Sequence, residues 1–551
     1  MEEEELSGEL PVKEQCLPFR QIPHTTRLFA DFLSWHPAIQ PFYSRSPHFS
    51  QWFKDETAAI SYDSARRARV ADILERQNRA WDASPKTLEN IDRLRHGASA
   101  LVTGQQVGLF GGPLFSVFKA LSTIKLAGEA THAGVDCVPI FWLATSDHDL
   151  EEISHVSLLG PDGSLQKFSA STRGLPDAPV GTVTFGPEIE PVVEAAAALL
   201  GDSDATKFLR EAYRPGENYG SAFARLFSRL FAEWGVVLLD ASDSELRRIA
   251  TPIYSAAIER AAELDDTLLA RGRELEATGY HQQVKVTPSS TLLFTIRDGA
   301  RVPVHRRPNG SGADFLVNHE TLSQSEMLRG IASEPEQFSA NVLLRPVVQD
   351  YLLPTLAYVG GAAEIAYFGQ GAVVYQALLG RTTPILPRFS GTIMEAKPQV
   401  LLERYRLSLP DVFHGPDVLR ETLAKHTLPA DLQTAFDRAE SSLQQSLGAI
   451  QQSLERLDKT LVEAAANAGS KMQHQLEQLR SRAARAELRQ SEILGRHAEL
   501  LSNALYPDKV LQEREIGGVY FVARHGTELL RNLHDTLQTN CLDHQTISLS
   551  S

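Results

Sequence analysis

Residues 98–113 read ASALVTGQQVGLFGGP, a short apolar run that ends in a glycine-rich stretch. The apolar run, residues 100–103, has the composition of a buried strand. Glycines let a backbone turn sharply after a strand, and Pro113 suits the first turn of a helix, because its missing N–H would be unpaired there anyway. Apolar residues then recur at roughly helical spacing: Leu114, Phe118, Leu121 and Leu126. The segment predicts a strand, a tight turn and a helix in succession.

Two further apolar runs extend this unit into a sheet. Residues 138–143 read VPIFWL, and a third run, residues 236–239, precedes Asp240. Helices are predicted at about 205–233 and 244–276. Alternating strands and helices are typical of an α/β domain with a mostly parallel sheet, and that is the predicted core.

The stretch from 281 to 318 departs from this alternation. It includes HQQVKVTPSSTLLFTIRDGARVPVHR, which alternates in polarity and is broken by turn residues such as Asp298-Gly299. This pattern predicts an antiparallel insertion. From Asn341 to Phe389, short apolar runs punctuated by glycine pairs and prolines restore the α/β pattern.

A heptad pattern occupies about 430–505. Its apolar residues are spaced 4, 7, 4, 3, 4, 3 and 4 apart: Leu432, Phe436, Leu443, Leu447, Ile450, Leu454, Leu457 and Leu461. A second helix carries Met472, Leu476, Leu479, Ala483 and Ala486. The turn chemistry of residues 467–470, NAGS, predicts the connection between them. Two helices of roughly 35 residues each would form an antiparallel coiled-coil hairpin; the alternative is a pair of ordinary long core helices.

The bulk composition narrows the class of protein. A chain of 551 residues is too long for one core, so two or three domains are expected. A net charge of −15 argues against a nucleic-acid partner. There is no apolar run long enough for a membrane helix, and the acidic start, MEEEELSGEL, does not resemble a secretory signal. A cytoplasmic protein is therefore expected.

Three cysteines, Cys16, Cys137 and Cys541, are widely spaced. An odd count at long spacing predicts neither a disulfide framework nor a thiolate metal site. Cys137 opens an apolar strand, where a cysteine packs as a small hydrophobe. Any thiol chemistry is therefore expected to belong to a substrate.

The glycine-rich turn is the first candidate site. Its glycines, Gly104, Gly108, Gly111 and Gly112, precede a helix whose first N–H groups could face an anion. The spacing matches neither of the common nucleotide-binding glycine motifs, so a tight turn without a ligand is the alternative. The paired amides Gln105 and Gln106 favour a ligand.

The second candidate is SDHDLEEISH, residues 146–155, directly after the strand 138–143. Ligands bind at the carboxyl ends of strands in open α/β sheets. Asp147 or Asp149 could orient the ring of His148 and stabilise its protonated form. Two alternatives stay open: acidic capping of a helix start, and a metal bound by His148, Glu152 and His155 on one helix face.

The third candidate is Arg345, in RPVVQD, with Glu364 downstream. An arginine beside a proline-started helix is suited to binding a carboxylate or phosphate. Gln349 and Asp350 follow on the same predicted helix, and all four residues are taken as candidate substrate-binding groups. The alternative is that Arg345 pairs internally with Asp350 or Glu364.

Together these blocks resemble a known family. TGQQVGLFGGPLFSVFKALSTIKLA, VPIFWLATSDHDLEEISHV and LLRPVVQDYLLPTLAYVGGAAEIAYFGQ look like the signature blocks of the cysteine-adding enzymes of bacillithiol biosynthesis, the BshC family. LPFRQIPHTTRLFADFL, VVLLDASDSELRRIATPIY and LYPDKVLQERE are also similar, and the blocks span about 16–525.

The resemblance implies a Rossmann-like α/β core with inserted connecting segments and an antiparallel helical coiled-coil domain. The predicted boundaries are 1–400 for the core, with insertions at about 160–230 and 280–335. The coiled-coil domain is predicted at 401–505, and a segment returning to the core at 506–551. The resemblance also implies a ligase that joins cysteine to the glucosamine nitrogen of glucosaminyl-malate, and a homodimer formed through the coiled coil.

The site residues are assigned to this reaction as hypotheses. His148, with Asp147 and Asp149, would help to deprotonate the sugar amine, which must be neutral to attack. Arg345 would bind the malate carboxylate, and the glycine-rich turn would hold the activated end or a phosphate. No metal is predicted. ATP or ADP is expected because an unactivated carboxylate does not condense with an amine in water. The core of the family resembles class I aminoacyl-tRNA synthetases, but their His-x-Gly-His motif is absent after the first strand of this sequence.

Two rivals remain: a nucleotide-binding regulator or scaffold that recruits partners through the coiled coil, and an amide ligase acting on another amine.

Overall fold

The computed structural model of this protein describes residues 15–171, 174–309, 312–426, 428–458, 460–490 and 492–549. Its strands are β1 (Gln15–Leu17), β2 (Ser99–Gln105), β3 (Cys137–Leu143), β4 (His155–Leu159), β5 (Leu165–Ser169), β6 (Val237–Asp240), β7 (Ser290–Arg297), β8 (Ala300–Asn309), β9 (Gly312–Val317), β10 (Glu320–Ser323), β11 (Phe338–Ala340), β12 (Thr355–Gly360), β13 (Ile385–Pro387), β14 (Gly391–Met394) and β15 (His544–Ser548).

The helices up to residue 277 are α1 (Arg27–Leu33), α2 (Phe53–Ala59), α3 (Ser64–Ala80), α4 (Pro85–Arg95), α5 (Leu114–His132), α6 (Leu150–Ile153), α7 (Ile189–Leu200), α8 (Asp204–Ala212), α9 (Tyr219–Leu230), α10 (Ser244–Glu259) and α11 (Ala261–Ala277). The later ones are α12 (Gln324–Ser333), α13 (Arg345–Leu352), α14 (Ala362–Leu379), α15 (Ala396–Arg404), α16 (Leu409–Val412), α17 (Pro416–His426), α18 (Ala430–Leu457), α19 (Thr460–Gln490), α20 (Glu492–Leu505), α21 (Gln512–Glu515), α22 (Gly518–His525) and α23 (Glu528–Thr536). Across the described ranges, no helix has both the length and the apolarity needed to cross a membrane.

The central sheet has five parallel strands in the order β13-β12-β2-β3-β6. The strands predicted at 100–103, 138–143 and 236–239 are confirmed as β2, β3 and β6, and β3 is buried along its whole length. Strand β2 lies between β3, the next strand along the chain, and β12, which comes much later in the sequence, so the strand order reverses at β2. A crevice at such a switch in strand order is where open α/β sheets bind ligands.

The predicted antiparallel insertion is also confirmed. Strands β7 to β11 form a separate five-stranded sheet in the order β10-β9-β8-β7-β11, with antiparallel neighbours throughout. One side of this sheet faces the carboxyl end of the central sheet, so the insertion forms a wall of the crevice rather than a separate body.

The long helices α18 and α19 form the predicted hairpin, but the predicted turn is wrong. Residues 467–470 lie inside α19, and the chain reverses near Asp458, whose side chain accepts hydrogen bonds from the amide and the hydroxyl of Thr460. Gly469 serves helix packing instead: a Cβ atom there would meet the Leu447 side chain at 2.8 Å. Small residues allow two helices to approach closely, which explains the turn-like composition at this position.

A third sheet joins the two ends of the described chain. Strand β15 lies between β1 and β14, antiparallel to β1 and parallel to β14. Cys16 and Cys541 meet there in a disulfide, 525 residues apart in sequence. The expectation of no disulfide is therefore wrong, because the pairing depends on a contact between terminal strands that sequence spacing does not reveal. Cys137 is free and buried, as expected.

Candidate active site

A cavity of about 890 Å³ lies at the carboxyl ends of β2, β3 and β12. One side of it is lined by residues at or just after the ends of these three strands, 104–106, 146–148 and 361–364. Helices α10 and α11 and strands β7 and β8 supply much of the rest. The cavity therefore lies at the switch in strand order and is covered by the inserted sheet.

A cluster of hydrogen-bonded polar side chains lines this cavity at the end of β3. Gln106 donates a hydrogen bond through Nε2 to Oδ2 of Asp147, at 3.3 Å. Arg301, from β8, donates through Nη1 to Oδ1 of Asp147 and to Nδ1 of His148, both at 3.1 Å. The guanidinium also lies over the ring of Phe294, 4.0 Å from its centroid. Four side chains from three separate segments are thus held in one arrangement.

The contact with Arg301 determines which nitrogen of His148 carries a proton. A guanidinium is only a donor, so Nδ1 of His148 must accept and its lone pair is occupied. The neutral ring then carries its proton on Nε2, which becomes a donor. In this arrangement His148 offers a hydrogen bond rather than a basic lone pair. Asp147 is the neighbouring group that can accept a proton.

Asp149 has a different role in the fold. Its Oδ1 accepts from the amide of Glu152 at 3.0 Å, so it caps the short helix α6, and it lies outside the cavity lining. The helix face that would align His148, Glu152 and His155 does not form, because α6 ends at Ile153 and His155 begins β4. Within the described ranges, no three acidic, histidine or cysteine side chains are grouped to hold a metal.

The glycine-rich turn divides into two parts. The residues that line the cavity are Gly104, Gln105 and Gln106. Those outside its lining are Gly108, Gly111 and Gly112. The amide of Gly111 donates to the buried hydroxyl of Tyr213 at 3.1 Å, and a Cβ atom there would meet two side chains of α9 at 3.2 Å. The later glycines therefore allow the turn to pack against α8 and α9.

Arg345 lines the cavity beside two aromatic rings. Its guanidinium donates to Gln349 Oε1 at 3.1 Å and to the Tyr367 hydroxyl at 3.0 Å. It lies 5.9 Å from the ring centroid of Trp142 and 5.3 Å from that of Tyr358. All these partners are uncharged, and among the described residues no carboxylate lies within ion-pair distance of Arg345. A partly buried cation with neutral neighbours attracts an anionic ligand.

Gln349 and Asp350 stand behind Arg345, outside the cavity lining. Both are buried, and Gln349 donates through Nε2 to Oδ1 of Asp350 at 3.0 Å. Burial raises the pKa of Asp350. Gln349 therefore holds Arg345 directly, and Asp350 holds Gln349.

Glu364 reaches the cavity but pairs with Lys119. Its Oε2 lies 2.6 Å from Lys119 Nζ, and its Oε1 accepts from the Tyr358 hydroxyl at 2.6 Å. Burial would raise the pKa of Glu364, but the Lys119 ammonium and the amide of Gly361 hold it below its usual value. Lys119 also donates to the carbonyl oxygen of Gly104 at 2.7 Å. The pair ties β2, α5 and α14 together, and the internal Arg345 pairing considered above does not form.

Several cavity residues carry no recognisable signal in the sequence: Lys119, Arg247, Arg301, Arg388 and Arg514. Arg301 is held by the hydroxyl of Ser339 and the carbonyl of Ala340, on a neighbouring part of the inserted sheet. The alternating pattern predicts its strand but not the packing of that strand over the core. Arg514 lies in LYPDKVLQERE, a block that the resemblance marks without assigning it a role.

Comparison with known proteins agrees with this architecture. A family model described as the BshC N-terminal Rossmann-like domain of bacillithiol biosynthesis matches residues 13–389, and one for the C-terminal coiled-coil domain matches residues 391–549. A protein of Koribacter versatilis named "Putative cysteine ligase BshC" is 50% identical over 97% of this chain and 99% of its own. Proteins of the same name from Solibacter usitatus and Salinibacter ruber are 35% and 33% identical, over 96% and 95% of this chain and 98% and 96% of their own.

Proposed function

This chain belongs to the BshC family of bacillithiol biosynthesis, and from that premise we propose that it is a cytoplasmic cysteine ligase. It would join the carboxyl group of cysteine to the glucosamine nitrogen of glucosaminyl-malate and so form an amide bond. The observation that carries the proposal is the full-length agreement with both family models, over a fold whose strand-end cavity holds donors, a carboxylate and an anion-binding arginine.

The reacting groups are placed at the Asp147–His148–Arg301 cluster. In the addition step the sugar nitrogen attacks the activated cysteine carbonyl, and negative charge develops on the carbonyl oxygen. When the C=O bond re-forms, the bond from the carbonyl carbon to the activating phosphate or nucleotide group would break, and that group would leave with the bonding electrons. The Nε2–H of His148 and the Arg301 guanidinium are donors that can stabilise this charge. The Asp147 carboxylate can take the proton that the nitrogen loses. This replaces the base role first assigned to His148, since its Nδ1 lone pair is occupied by Arg301.

We assign the binding of the malyl group of glucosaminyl-malate to Arg345. The malyl group of glucosaminyl-malate is anionic, and among the described residues no carboxylate lies within ion-pair distance of this guanidinium. The flat faces of Trp142 and Tyr358 beside it suit the sugar ring or the malyl chain. Binding of a malyl carboxylate would balance the charge of Arg345.

The thiol in this reaction is assigned to the substrate. Burial raises the pKa of Cys137 to about 12, which keeps its thiol protonated and unreactive at neutral pH. Cys16 and Cys541 are joined to each other at the terminal sheet, and none of the three lines the cavity. Activation of the cysteine carboxyl is therefore assigned to a nucleotide, ATP or ADP, rather than to a protein thiol.

Assembly as a homodimer is part of the proposal. The hairpin of α18 and α19 leaves large apolar side chains exposed: Leu432, Ile450, Leu457, Leu461, Met472 and Leu479. A run of such residues in water favours association. A second copy offers the same run, and a two-fold pairing of identical surfaces is the commonest closed assembly.

One experiment tests the activity. The protein is incubated with glucosaminyl-malate, cysteine and ATP, and the products are identified by mass spectrometry. Bacillithiol together with AMP or ADP is the expected outcome. Nucleotide binding without any new thiol would favour a regulatory protein, and turnover only with another amine would place the chain among other amide ligases.

A further inference from the structure

Three cations surround one ring at the mouth of the cavity. Phe115 lies at the start of α5, and its ring centroid is 5.3 Å from the Arg388 guanidinium, 5.9 Å from Lys119 Nζ and 6.0 Å from the Arg514 guanidinium. Phe115 and all three cations line the cavity. We call Lys119, Arg388 and Arg514 the Phe115 cation cluster.

The charges in this cluster are not all balanced. Lys119 is paired with Glu364 at 2.6 Å, and Arg388 with Glu513 at 2.6 Å. Arg514 is exposed, and among the described residues no carboxylate lies within ion-pair distance of it. Arg514 is therefore the one member of the cluster without an ion-pair partner among the described residues, and the carboxylates that act on it from farther away are those of Glu513 and Glu152.

The amino end of α14 lines the cavity close to the Phe115 cation cluster. Gly361, Ala362 and Ala363, which begin this 18-residue helix, line the cavity. The amide of Gly361 is bound by Glu364. A Cβ atom on Gly361 would lie 3.5 Å from Arg388 Nε, so this nitrogen faces the start of the helix. The N–H groups of a helix start carry partial positive charge and favour anions.

A buried relay fixes the position of Arg388. Glu513 accepts from Arg388 Nη2 at 2.6 Å, from the Ser390 hydroxyl at 2.9 Å and from the Gly391 amide at 2.9 Å. Ser390 in turn contacts Nδ1 of His544, on the last strand, at 2.8 Å. Both Arg388 and Glu513 have side chains less than one-tenth exposed. A guanidinium held this firmly is pre-organised for a ligand.

We infer that Arg388, Arg514 and the amino end of α14 form a subsite for a multiply charged oxyanion, and that Glu513 positions Arg388 in it. The inference rests on the proposed function, which offers two such anions: the polyphosphate of the activating nucleotide, and the malyl dicarboxylate, with one carboxylate at Arg345 and the other at this subsite. Lys119 takes no direct part, because its partners are Glu364, Gly104 and Gln105.

Calorimetric titration of the full-length protein with glucosaminyl-malate and, separately, with ATP tests the subsite. Arg514→Ala is the main variant, since Arg514 is exposed and its loss leaves the core intact; Arg388→Lys is the second. Arg531→Ala is the matched control, because it removes one positive charge from the same terminal segment but pairs with Glu233 and Glu528 away from the cavity.

Both variants should weaken the binding of glucosaminyl-malate by at least tenfold and leave that of ATP within twofold, while the control changes neither. Weakened ATP binding alone supports the subsite and assigns it to phosphate. Affinities for both anions within twofold of the unaltered protein would overturn the inference. Because binding is measured without turnover, the two proposals can fail separately. A protein that forms no bacillithiol would refute the ligase proposal, but the titrations would still test the anion subsite.

Glu513→Gln tests the positioning role. This variant keeps the shape of the side chain and removes the charge that holds Arg388. It should raise the KM of the anion that binds the subsite by about tenfold, while the KM of the other substrates and kcat stay within about twofold. General damage to the fold would instead lower kcat and weaken every ligand, and that result would contradict the role of Glu513.

Discussion

His148 accepts a hydrogen bond from a cation, and this decides what substitution should do at that position. Glutamine can present an N–H at the distance of imidazole Nε2, whereas alanine cannot. We predict that His148→Ala lowers kcat about 100-fold, the usual cost of one lost oxyanion donor, and that His148→Gln loses clearly less. The measurement is kcat for amide formation over a range of pH.

The pH dependence of kcat/KM distinguishes two roles for His148, that of a hydrogen-bond donor and that of a general base. If His148 only donates, the acidic limb of the kcat/KM profile is unchanged in His148→Gln, while Asp147→Asn lowers kcat at every pH. Loss of the acidic limb in His148→Gln would mean that His148 accepts the proton after all.

His544 is a second residue whose surroundings make a measurable prediction. Burial lowers its pKa to about 4, and both ring nitrogens contact hydroxyls, those of Ser390 and Thr392, at 2.8 Å. The unfolded chain takes up a proton as the pH falls below about 6.5, whereas the folded protein does not until about pH 4. Stability contributed by the neutral ring is therefore present above pH 6.5 and is lost as the pH falls toward 4.

His544→Gln should remove this pH dependence, since glutamine can bond both hydroxyls without titrating. Between pH 7.5 and 5.5 the unaltered protein should lose about 1 kcal/mol more of its free energy of unfolding than the variant. Urea unfolding at the two pH values measures the difference. If both proteins lost the same free energy of unfolding between these pH values, His544 would not be the titrating group.

The sequence predicts candidate site residues where local signals are strong. Gln106 and His148 stand out because they follow buried strands, whose carboxyl ends meet in one crevice, and Arg345 stands out because it opens a helix beside a proline. Arg301 and Arg514 could not be found this way. One lies on an antiparallel strand folded over the core and the other on a helix that returns from the far end of the chain, so their positions depend on long-range packing.

At the scale of elements, the later part of the turn after β2 requires a glycine conformation and does not line the cavity. Gly112 has φ 71° and ψ −168°, a conformation that is essentially restricted to glycine. Gly112→Ala should lower the free energy of unfolding by about 1–3 kcal/mol, as measured by urea unfolding. Substrate and nucleotide KM values should stay within about twofold, since Gly112 does not line the cavity; a rise confined to the nucleotide KM would restore the cofactor-binding role first considered for this turn.

Gly128→Ala is the control for that substitution. Gly128 lies inside α5 with nothing within 4 Å of a Cβ atom, so alanine there should be neutral or stabilising. A loss of stability from both substitutions would point to the glycines' packing rather than to the backbone of the turn.

The helical hairpin shows why element type is easier to predict than the turn between elements. The heptad spacing predicts α18 and α19 because apolar periodicity persists over many residues. The turn depends on two residues, Asp458 and Thr460, and NAGS at 467–470 is a stronger local signal for a turn. Contact with Leu447 across the hairpin gives Gly469 a packing role that the sequence of one helix cannot show.

At the scale of the whole molecule, the exposed apolar residues of the hairpin predict its assembly. Removing residues 444–473 and closing the gap with a short glycine-rich turn deletes the outer half of both helices but keeps the Asp437–Arg480 pair near the base. The full chain should sediment as a dimer at micromolar concentration and the shortened chain as a monomer. The shortened chain should still bind glucosaminyl-malate; if it sediments as a dimer, the interface lies elsewhere.

A point substitution tests the same surface without a deletion. Ile450→Glu places a charge on an exposed apolar position, whereas Gln452→Glu does so at an exposed polar position of the same helix. Only the first should weaken the dimer. Equal effects would indicate that added charge, rather than the loss of an apolar contact, drives dissociation.

The terminal sheet has a consequence for how the protein is made. Strand β15 ends at Ser548, and His544 at its start completes the relay that holds Arg388. The last strand of the central sheet, β13, is synthesised 157 residues before the start of β15. The nascent chain can thus form its central sheet early, yet the hydrogen bonds that hold Arg388 are completed only after β15 has been synthesised. A chain that stops before β15 should therefore keep the Arg388–Glu513 pair but lose the support that His544 gives to it, and should bind the anion more weakly than the full chain.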